Sequence, residues 1–384
     1  MWDFELHYPT KILFGAGVSK KAGEIIASQG IGRVLVVTDK GVSEAGILDG
    51  ILPTLDSAGL VYEVFSEVGH ESTLKQIHKG LDVQKRFGGE VILSVGGGSV
   101  MDTAKGIGCL ATNPGPLRDY EGAEKYSIPP VPSIAIPTTA GTGSEVSFGA
   151  VAFDEERAYK FSFRNSMQIP SVAFLDPALL VTTPPGLAAA AGLDALSHAV
   201  EAYVSKGSNR FTDAYCIQNF RLVGKYLRRF VADPSDTEAA SGMLIASSMG
   251  SMAFNVARLG LIHAMAHPLG THFHLPHGVA CAVLMPHVIQ FNSMACPDRY
   301  IDVADCLEDR PGGNNLPGSD HSALDSVERL MHDINVEVDM GTYDITDEML
   351  SKIADETLCS GMQLTNPRRA GKKDVIDIFR NLFS

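Results

Sequence analysis

Short runs of apolar, often β-branched residues recur through the first half of the chain, each bounded by turn-forming residues. Such runs predict buried strands. They are Arg33–Asp39, Val61–Phe65, Val91–Val95, Ser133–Pro137 and Val172–Asp176. Helical patterns lie between several of them, and this alternation predicts an α/β fold with a mostly parallel sheet. Parallel sheets bind ligands beyond the carboxyl ends of their strands, so we expect function to collect there.

Long alanine-rich or amphipathic stretches replace these runs after Pro184 and Pro185, which can end a strand and open a helix. The stretches predict helices over Leu187–Ser205, Asp213–Phe230, Thr237–Ala257 and Ala280–Asn292. We therefore predict an α/β domain over 1–183 and an all-helical domain over 184–384. The Pro- and Gly-rich segment Asp309–Ser319 is predicted to be an exposed loop.

Length and charge agree with a two-domain protein that acts on small molecules. The chain has 384 residues, and its 31 basic and 45 acidic residues give a formal charge of −14. This charge disfavours nucleic acid and anionic membranes as partners. The sequence contains no run of about 18 uncharged apolar residues, so no membrane anchor is predicted. No signal peptide is expected either.

The cysteines predict neither a disulfide framework nor a thiolate zinc site, because they are scattered and form no Cys-x-x-Cys motif. They are Cys109, Cys216, Cys281, Cys296, Cys306 and Cys359. A reducing cytoplasm is the expected compartment.

A glycine-rich turn follows the predicted strand Val91–Val95. The segment Ser94–Asp102 reads SVGGGSVMD and leads into a helical run, Val100–Leu110. Glycines let a ligand approach the backbone, and a helix start offers unpaired N–H groups, so a dinucleotide pyrophosphate would fit here. The alternative is a plain strand-to-helix connection.

A second loop, Thr138–Glu145 (TTAGTGSE), supports the nucleotide interpretation because its hydroxyl groups can bind phosphate or ribose. Asp39 ends a predicted strand and could accept a hydrogen bond from the ribose 2′-hydroxyl, which favours NAD over NADP. Its alternative role is to cap a helix over Gly41–Leu52. Gly15-Ala16-Gly17 is interpreted as a turn.

A metal site is suggested in the helical half. Asp194 and His198 are four residues apart in a predicted helix, and His263 and His267 repeat that spacing. A single helical histidine is usually structural, but an aspartate on an apolar helix needs a counter-charge, which a divalent cation would supply. One carboxylate with several imidazoles and no thiolate suits Fe²⁺ or Zn²⁺.

The motifs GGGSVMD, TTAGTGSE, GLDALSHAVEAY, GLIHAMAHPLG, LPHGVACAVLMPHV and TNPR together resemble the iron-containing (group III) alcohol dehydrogenase family. The resemblance runs from Phe14 to Arg368. It implies an N-terminal α/β dinucleotide-binding domain and an all-α C-terminal domain, in an architecture shared with dehydroquinate synthase. It places the metal in the cleft between the domains.

The same resemblance implies the site residues of the helical domain. The metal ligands would be Asp194, His198, His263 and His277. His267 would lie near the nicotinamide and substrate as a proton relay, with a packing role as the alternative. His272 and His274 match no ligand of the family. We expect them to be loop residues or to lie behind the metal ligands without binding the metal.

Further residues follow from the resemblance. The pyrophosphate would be held by Gly96, Gly97, Gly98 and Ser99, with Asp102 at the helix start. The adenosine and phosphate side would be lined by Thr138, Thr139, Thr142 and Ser144. The ribose and nicotinamide would be bordered by Val151, Lys160 and Leu179. The substrate pocket would include Gly149 and Phe254.

We therefore expect NAD-dependent, reversible oxidation of a primary alcohol or diol to an aldehyde, with Fe²⁺ or Zn²⁺ polarising the oxygen. A homodimer or larger homo-oligomer is expected from the resemblance. One alternative is a glycerol-type polyol dehydrogenase, which uses fewer histidine ligands, so His277 argues against it. A dehydroquinate synthase-like lyase would need a basic cluster near the metal motifs, where only Arg258 lies. A non-catalytic nucleotide-binding module is the third alternative.

Overall fold

The computed structural model describes residues 4–308, 322–343 and 345–384, which form two units. The first is His7–Thr182, and the second comprises the described residues from Thr183 to Ser384 together with residues 4–6. Phe4 belongs with the second unit, because its ring lies 5.8 Å from that of Phe211. The sequence-based division at Pro184 instead assigns these first residues to the α/β domain. The predicted loop Asp309–Ser319 lies outside the described residues.

The first unit contains all the strands that the described residues form. They are β1 (Lys11–Phe14), β2 (Arg33–Asp39), β3 (Val61–Val68), β4 (Val91–Gly96), β5 (Gly122–Ala123), β6 (Ser133–Pro137), β7 (Gly149–Asp154), β8 (Tyr159–Arg164) and β9 (Val172–Leu175). Six of them make one sheet in the order β1-β9-β6-β4-β2-β3, and every pairing in it is parallel. The predicted parallel sheet is confirmed.

The central strands are apolar throughout because both faces of the sheet are covered. On β2, Leu35 and Val37 join one buried cluster, whereas Val34 and Val36 join another on the opposite face. Burial on both faces removes the alternation of polar and apolar residues that a half-exposed strand shows. Because β2, β4 and β6 are neighbours and run parallel, their carboxyl ends lie side by side at one edge of the sheet.

A second, three-stranded sheet was not predicted. Its order is β5-β8-β7, with β7 and β8 antiparallel. These strands alternate buried and half-buried residues, so they lack the continuous apolar runs by which the other strands were found.

The helices of the first unit cover the parallel sheet. They are α1 (Ala22–Ser28), α2 (Lys40–Glu44), α3 (Leu52–Ser57), α4 (Leu74–Phe87) and α5 (Gly98–Thr112). The helix predicted over Gly41–Leu52 is wrong as one element. The chain leaves α2 at Gly46, which has a φ of 71°, and continues through a short 3₁₀ turn at Ile47–Gly50.

The second unit is helical wherever the structure describes it. Its helices are α6 (Pro185–Val204), α7 (Arg210–Ala232), α8 (Thr237–Ala257), α9 (Leu261–Phe273), α10 (His277–Asn292), α11 (Pro297–Leu307), α12 (Ala323–Asp333), α13 (Asp347–Cys359) and α14 (Lys372–Leu382). The predicted all-α half is confirmed. No single helix within the described ranges is long and apolar enough to cross a membrane, although α8 and α9, bent by 110°, pass together on length and composition.

Candidate metal centre and nucleotide-binding loops

Helix α6 carries three buried polar side chains on one face. Asp194, His198 and Glu201 follow one another at intervals of four and three residues, so they lie along a single stripe. The helix opens with Pro185 in its first turn, where the missing N–H costs nothing. Its alanine-rich sequence favours the helix and allows close packing against its neighbours.

Helix α9 brings two further histidines to the second unit's interior. His263 and His267 are buried one turn apart on it. The first turn of α9 is held from outside: Leu261 N donates to Asn366 Oδ1 at 3.3 Å, and Ile262 N donates to Glu201 Oε1. Asn366 belongs to the TNPR motif and also exchanges hydrogen bonds with Asn292.

The Asp194 carboxylate lies at the centre of a histidine cluster. From its Oδ1, the distance to Nε2 is 3.9 Å for His198, 3.8 Å for His263 and 3.6 Å for His277. These distances exceed those of a hydrogen bond. Donors that share one tetrahedral ion with bonds of about 2.1–2.3 Å are about 3.4–3.8 Å apart. The distances to His263 and His277 fall within this range, and the distance to His198 lies just above it.

The unsatisfied atoms of the cluster point to the same ion. Asp194 Oδ1 and His263 Nε2 are buried and have no hydrogen-bond partner within the described part of the chain. Leaving such atoms unpaired is costly, and a divalent cation would satisfy both. Burial alone would raise the pKa of Asp194, but His198, His263 and His277 outweigh it and hold that pKa below its usual range. The donors therefore fit Fe²⁺ or Zn²⁺.

Glu201 orients one of the histidines and was missed in the sequence. Its Oε2 lies 2.7 Å from Nδ1 of His263, and both side chains are buried. A carboxylate that accepts from one ring nitrogen leaves the other nitrogen for a metal. The available signal was its position, seven residues after Asp194 on the same helical stripe.

Cys281 also joins the cluster, which corrects the expectation of a site without a thiol. Its Sγ, with the ligand atoms of Asp194, His263 and His277, forms a group in which all atoms lie within 4.8 Å of one another. Cys281 is one turn after His277 on α10, so both side chains face the same way. The spacing of the cysteines relative to one another does not reveal the proximity of Cys281 to His277.

The remaining predicted residues of the second unit occupy different places. The ring of His267 lies 5.6 Å from that of His277, and the ring of Phe254 lies 4.7 Å from that of His198. His272 Nε2 instead lies 2.9 Å from Glu356 Oε2. His274 ends α9 with a φ of 56°.

In the first unit, the two predicted nucleotide loops pack on each other. Gly96 ends β4, Gly97 precedes α5, and Gly98 and Ser99 begin it. A Cβ added at Gly98 would lie 2.6 Å from Cγ2 of Thr142, so only glycine allows this approach. The Thr138 N–H donates to the Gly96 carbonyl at 3.1 Å. Thr139 lies beside Gly97.

Asp102 and Lys105 tie this region together from α5. Asp102 accepts hydrogen bonds from the Ser144 hydroxyl and from the Val151 N–H, each at 3.0 Å. The buried Lys105 Nζ donates to the carbonyl oxygens of Ser144, Ser147 and Gly149 at 2.8–2.9 Å. The contacts of Asp102 are thus with the protein's own loops. Sequence reasoning missed Lys105, although a lysine inside an apolar helix was a usable signal.

The remaining predicted residues of the first unit contact other parts of the protein. Asp39 Oδ1 accepts from Val42 N at 2.8 Å, so it caps α2 while standing at the carboxyl end of β2. Lys160 Nζ lies 2.5 Å from Glu71 Oε1, and Leu179 packs against the apolar core beneath the sheet. The Gly15-Ala16-Gly17 segment is a turn whose Gly17 N–H donates to Asp176.

Comparisons with known proteins agree over nearly the whole chain. Residues 9–177 match the family model described as iron-containing alcohol dehydrogenase, and residues 188–383 match its Fe-containing alcohol dehydrogenase C-terminal model. The chain is 37% identical to the NAD-dependent methanol dehydrogenase of Bacillus methanolicus, covering 97% of this chain and 98% of that one. It is also 37% identical to the 1,3-propanediol dehydrogenase of Citrobacter freundii, with 99% of each covered. A crystal structure of 1,3-propanediol oxidoreductase superposes with a TM-score of 0.92 at 38% identity, covering 99% of this chain and all of the other.

Proposed function

Because the chain belongs to the iron-containing alcohol dehydrogenase family, we propose that it reversibly oxidises a primary alcohol or diol to an aldehyde with NAD. The observation that carries this proposal is the group of Asp194, His263 and His277, whose potential ligand atoms lie within 4.8 Å of one another. Two of these atoms, the buried Asp194 Oδ1 and His263 Nε2, have no hydrogen-bond partner among the described residues. The lyase and binding-module alternatives are set aside with this family assignment. Relatives named for methanol and 1,3-propanediol support short alcohols or diols as the substrate class.

Asp194, His198, His263 and His277 would hold the metal. When bound there, Fe²⁺ or Zn²⁺ supplies a Lewis acid that polarises the alcohol or carbonyl oxygen. Glu201 keeps the His263 ring in place through the hydrogen bond to Nδ1. The anionic Asp194 neutralises part of the ion's charge, consistent with its lowered pKa.

His267 is proposed to move the hydroxyl proton. It is buried one turn beyond His263, outside the group at ligand spacing, and an imidazole can exchange a proton near neutral pH. Phe254, whose ring lies 4.7 Å from that of His198, is proposed as an apolar wall of the substrate pocket. Gly149, which presents no side chain, is proposed as a further residue in contact with the substrate.

NAD is the hydride acceptor, and the loops at the carboxyl ends of β2, β4 and β6 are proposed to bind it. Gly96–Ser99 would receive the pyrophosphate at the start of α5, with Asp102 holding the neighbouring loop. Further contacts are proposed for Asp39, Thr138, Thr139, Thr142, Ser144, Val151, Lys160 and Leu179.

We also propose a cytoplasmic homodimer. The six cysteines are free, which suits a reducing compartment. Edge strand β1 exposes the apolar side chains of Ile12 and Phe14, 40% and 47% accessible, which a second copy would cover. Sedimentation of the full chain tests the assembly, and a monomer at micromolar concentration would contradict it.

The function is tested with protein purified without oxygen and loaded with Fe²⁺ or Zn²⁺. NADH oxidation is followed against a ladder of aldehydes, and NAD reduction against the matching alcohols and diols. His263→Ala should lose its metal and more than about 100-fold in turnover, because a lost ligand costs at least as much as a lost outer partner. NADH binding by that variant should persist. A flat trace with every substrate in metal-loaded wild type would overturn the proposal.

A further inference from the structure

Cys281 is a buried thiol that the proposed reaction does not use. Its side chain is fully inaccessible, on α10 one turn after His277. The other buried cysteines are not part of a group of potential ligands within the described residues. Among the described cysteines, only Cys281 lies in such a group, together with an aspartate and two histidines.

The distances place the sulfur in the ligand cluster itself. Sγ lies 3.7 Å from Nε2 of His277, the same spacing that separates Asp194 Oδ1 from that nitrogen at 3.6 Å. Donors around one tetrahedral ion are expected about 3.4–3.8 Å apart. One oxygen, two nitrogens and the sulfur thus all lie within 4.8 Å of one another.

Two independent atoms point to an ion at that place. Asp194 Oδ1 and His263 Nε2 have no hydrogen-bond partner within residues 4–308, 322–343 and 345–384, and their residues are 3% and 2% accessible. The thiol is a weak hydrogen-bond donor and cannot replace a cation as their partner. A metal would bind both atoms and leave the sulfur within reach of the same ion.

We propose that Cys281 is an additional metal ligand in this protein, beside Asp194, His198, His263 and His277. This inference rests on the metal centre of the proposed function and adds a soft donor to it. Thiolates favour Zn²⁺ and Co²⁺ over harder ions, so the site selects Zn²⁺ over Fe²⁺ more strongly than oxygen and nitrogen ligands would. Affinity order already runs in that direction.

The direct test is X-ray absorption on the full-length wild type loaded with Zn²⁺. One sulfur at about 2.3 Å is expected beside nitrogen and oxygen at about 2.0–2.2 Å. This measurement needs no variant, so it decides the question even if substitutions at Cys281 prevent folding. A shell of nitrogen and oxygen alone overturns the proposal.

Cobalt substitution gives a second readout. Co²⁺-loaded wild type should show sulfur-to-cobalt charge-transfer absorption in the near ultraviolet, and Cys281→Ser and Cys281→Ala should lose it. Cys216→Ser removes another buried thiol of the same unit, and Cys359→Ser removes an exposed one. Both controls should keep the band, and its persistence in Cys281→Ser would contradict the assignment.

Metal competition measures the consequence. With equal Zn²⁺ and Fe²⁺ under anaerobic conditions, Cys281→Ser should bind at least about tenfold less Zn²⁺ relative to Fe²⁺ than wild type does, a change of about 1.4 kcal/mol. The proposed function fails separately: no alcohol oxidation with sulfur in the metal shell would reject the reaction and keep the ligand. Full activity with no sulfur in the shell would do the reverse.

Discussion

Nδ1 of His263 lies 2.7 Å from Oε2 of Glu201, and both side chains are almost completely buried. The carboxylate thereby fixes which ring nitrogen faces Asp194. The other oxygen of Glu201 accepts from the Ile262 N–H in the first turn of α9. One side chain therefore sets both the rotation of the ring and the position of the helix that carries it.

Glu201→Gln should weaken metal affinity about 10–100-fold while leaving NADH affinity unchanged. The amide is nearly isosteric but cannot stabilise the ring as a carboxylate does, so the effect reports orientation more than packing. Competition with a chelator measures the affinity. Glu356→Gln is the matched control, because Glu356 pairs with His272 outside the cluster and should leave affinity unaltered. Equal losses in both variants would show a general effect of removing acids.

Asp39→Asn should raise the preference for NADP over NAD by about tenfold or more in kcat/KM, roughly 1.4 kcal/mol. Asparagine keeps the acceptor for Val42 N but removes the charge that opposes a 2′-phosphate. Asp39→Ala loses both roles and should also cost about 1 kcal/mol of stability. An unaltered cofactor preference in the asparagine variant would leave Asp39 as a helix cap alone.

Gly98→Ala should reduce NADH affinity at least about tenfold, about 1.4 kcal/mol, because the added methyl group would collide with Thr142 and push the two loops apart. Isothermal titration of NADH measures the loss, and metal content should be unchanged. Gly50→Ala provides the control, since nothing lies within 4 Å of a Cβ at that position. Normal NADH binding by Gly98→Ala would remove the β4–α5 turn from the proposed site.

Lys105 gives a pH dependence of stability. Burial lowers the pKa of its ammonium group to about 8, although the nearby carboxylates of Asp102 and Glu145 oppose the shift. An unfolded lysine has a pKa of about 10.4, so between about pH 8 and 10.4 the unfolded chain binds more protons than the folded chain. The contribution of Lys105 to the free energy of unfolding should therefore rise with pH across that window, by at most about 3 kcal/mol.

Urea titrations of wild type and Lys105→Met at several pH values measure this slope. The difference between them should change with pH in favour of wild type, whatever its value at neutral pH. Lys79→Met is the control, because Lys79 pairs with Glu67 on an exposed face and should give a parallel pH profile. A constant wild-type-minus-Lys105→Met difference would mean that the lysine titrates normally.

Much of the fold follows from the sequence because burial leaves a simple pattern. Strand β2 has the predicted bounds, and so does helix α8, since each is apolar on every side that meets a neighbour. The hairpin of β7 and β8 did not stand out, because one-sided burial dilutes its apolar residues with Lys160 and similar polar ones. The break between α2 and α3 depends on one left-handed glycine, Gly46, that helix periodicity does not register.

The site was predictable where chemistry repeats within one helix. The four-residue spacing of Asp194 and His198, and of His263 and His267, is enough to predict that each pair lies on one face of a helix. Lys105 and Cys281 do not, because their meaning comes from partners on other elements. The three carbonyl oxygens that face Lys105 lie far along the chain, and the sulfur of Cys281 gains significance only where α10 packs on α6.

The hydrogen bond from Leu261 to Asn366 joins positions 105 residues apart. A ribosome that has already synthesised Asp194 and all the cluster histidines has not yet produced the amide that secures the start of α9. We therefore expect iron or zinc to be held firmly only after the segment that contains Asn366 has packed against α9. Substitutions at Asn366 should then lower metal loading, although this residue is far along the chain from every proposed ligand.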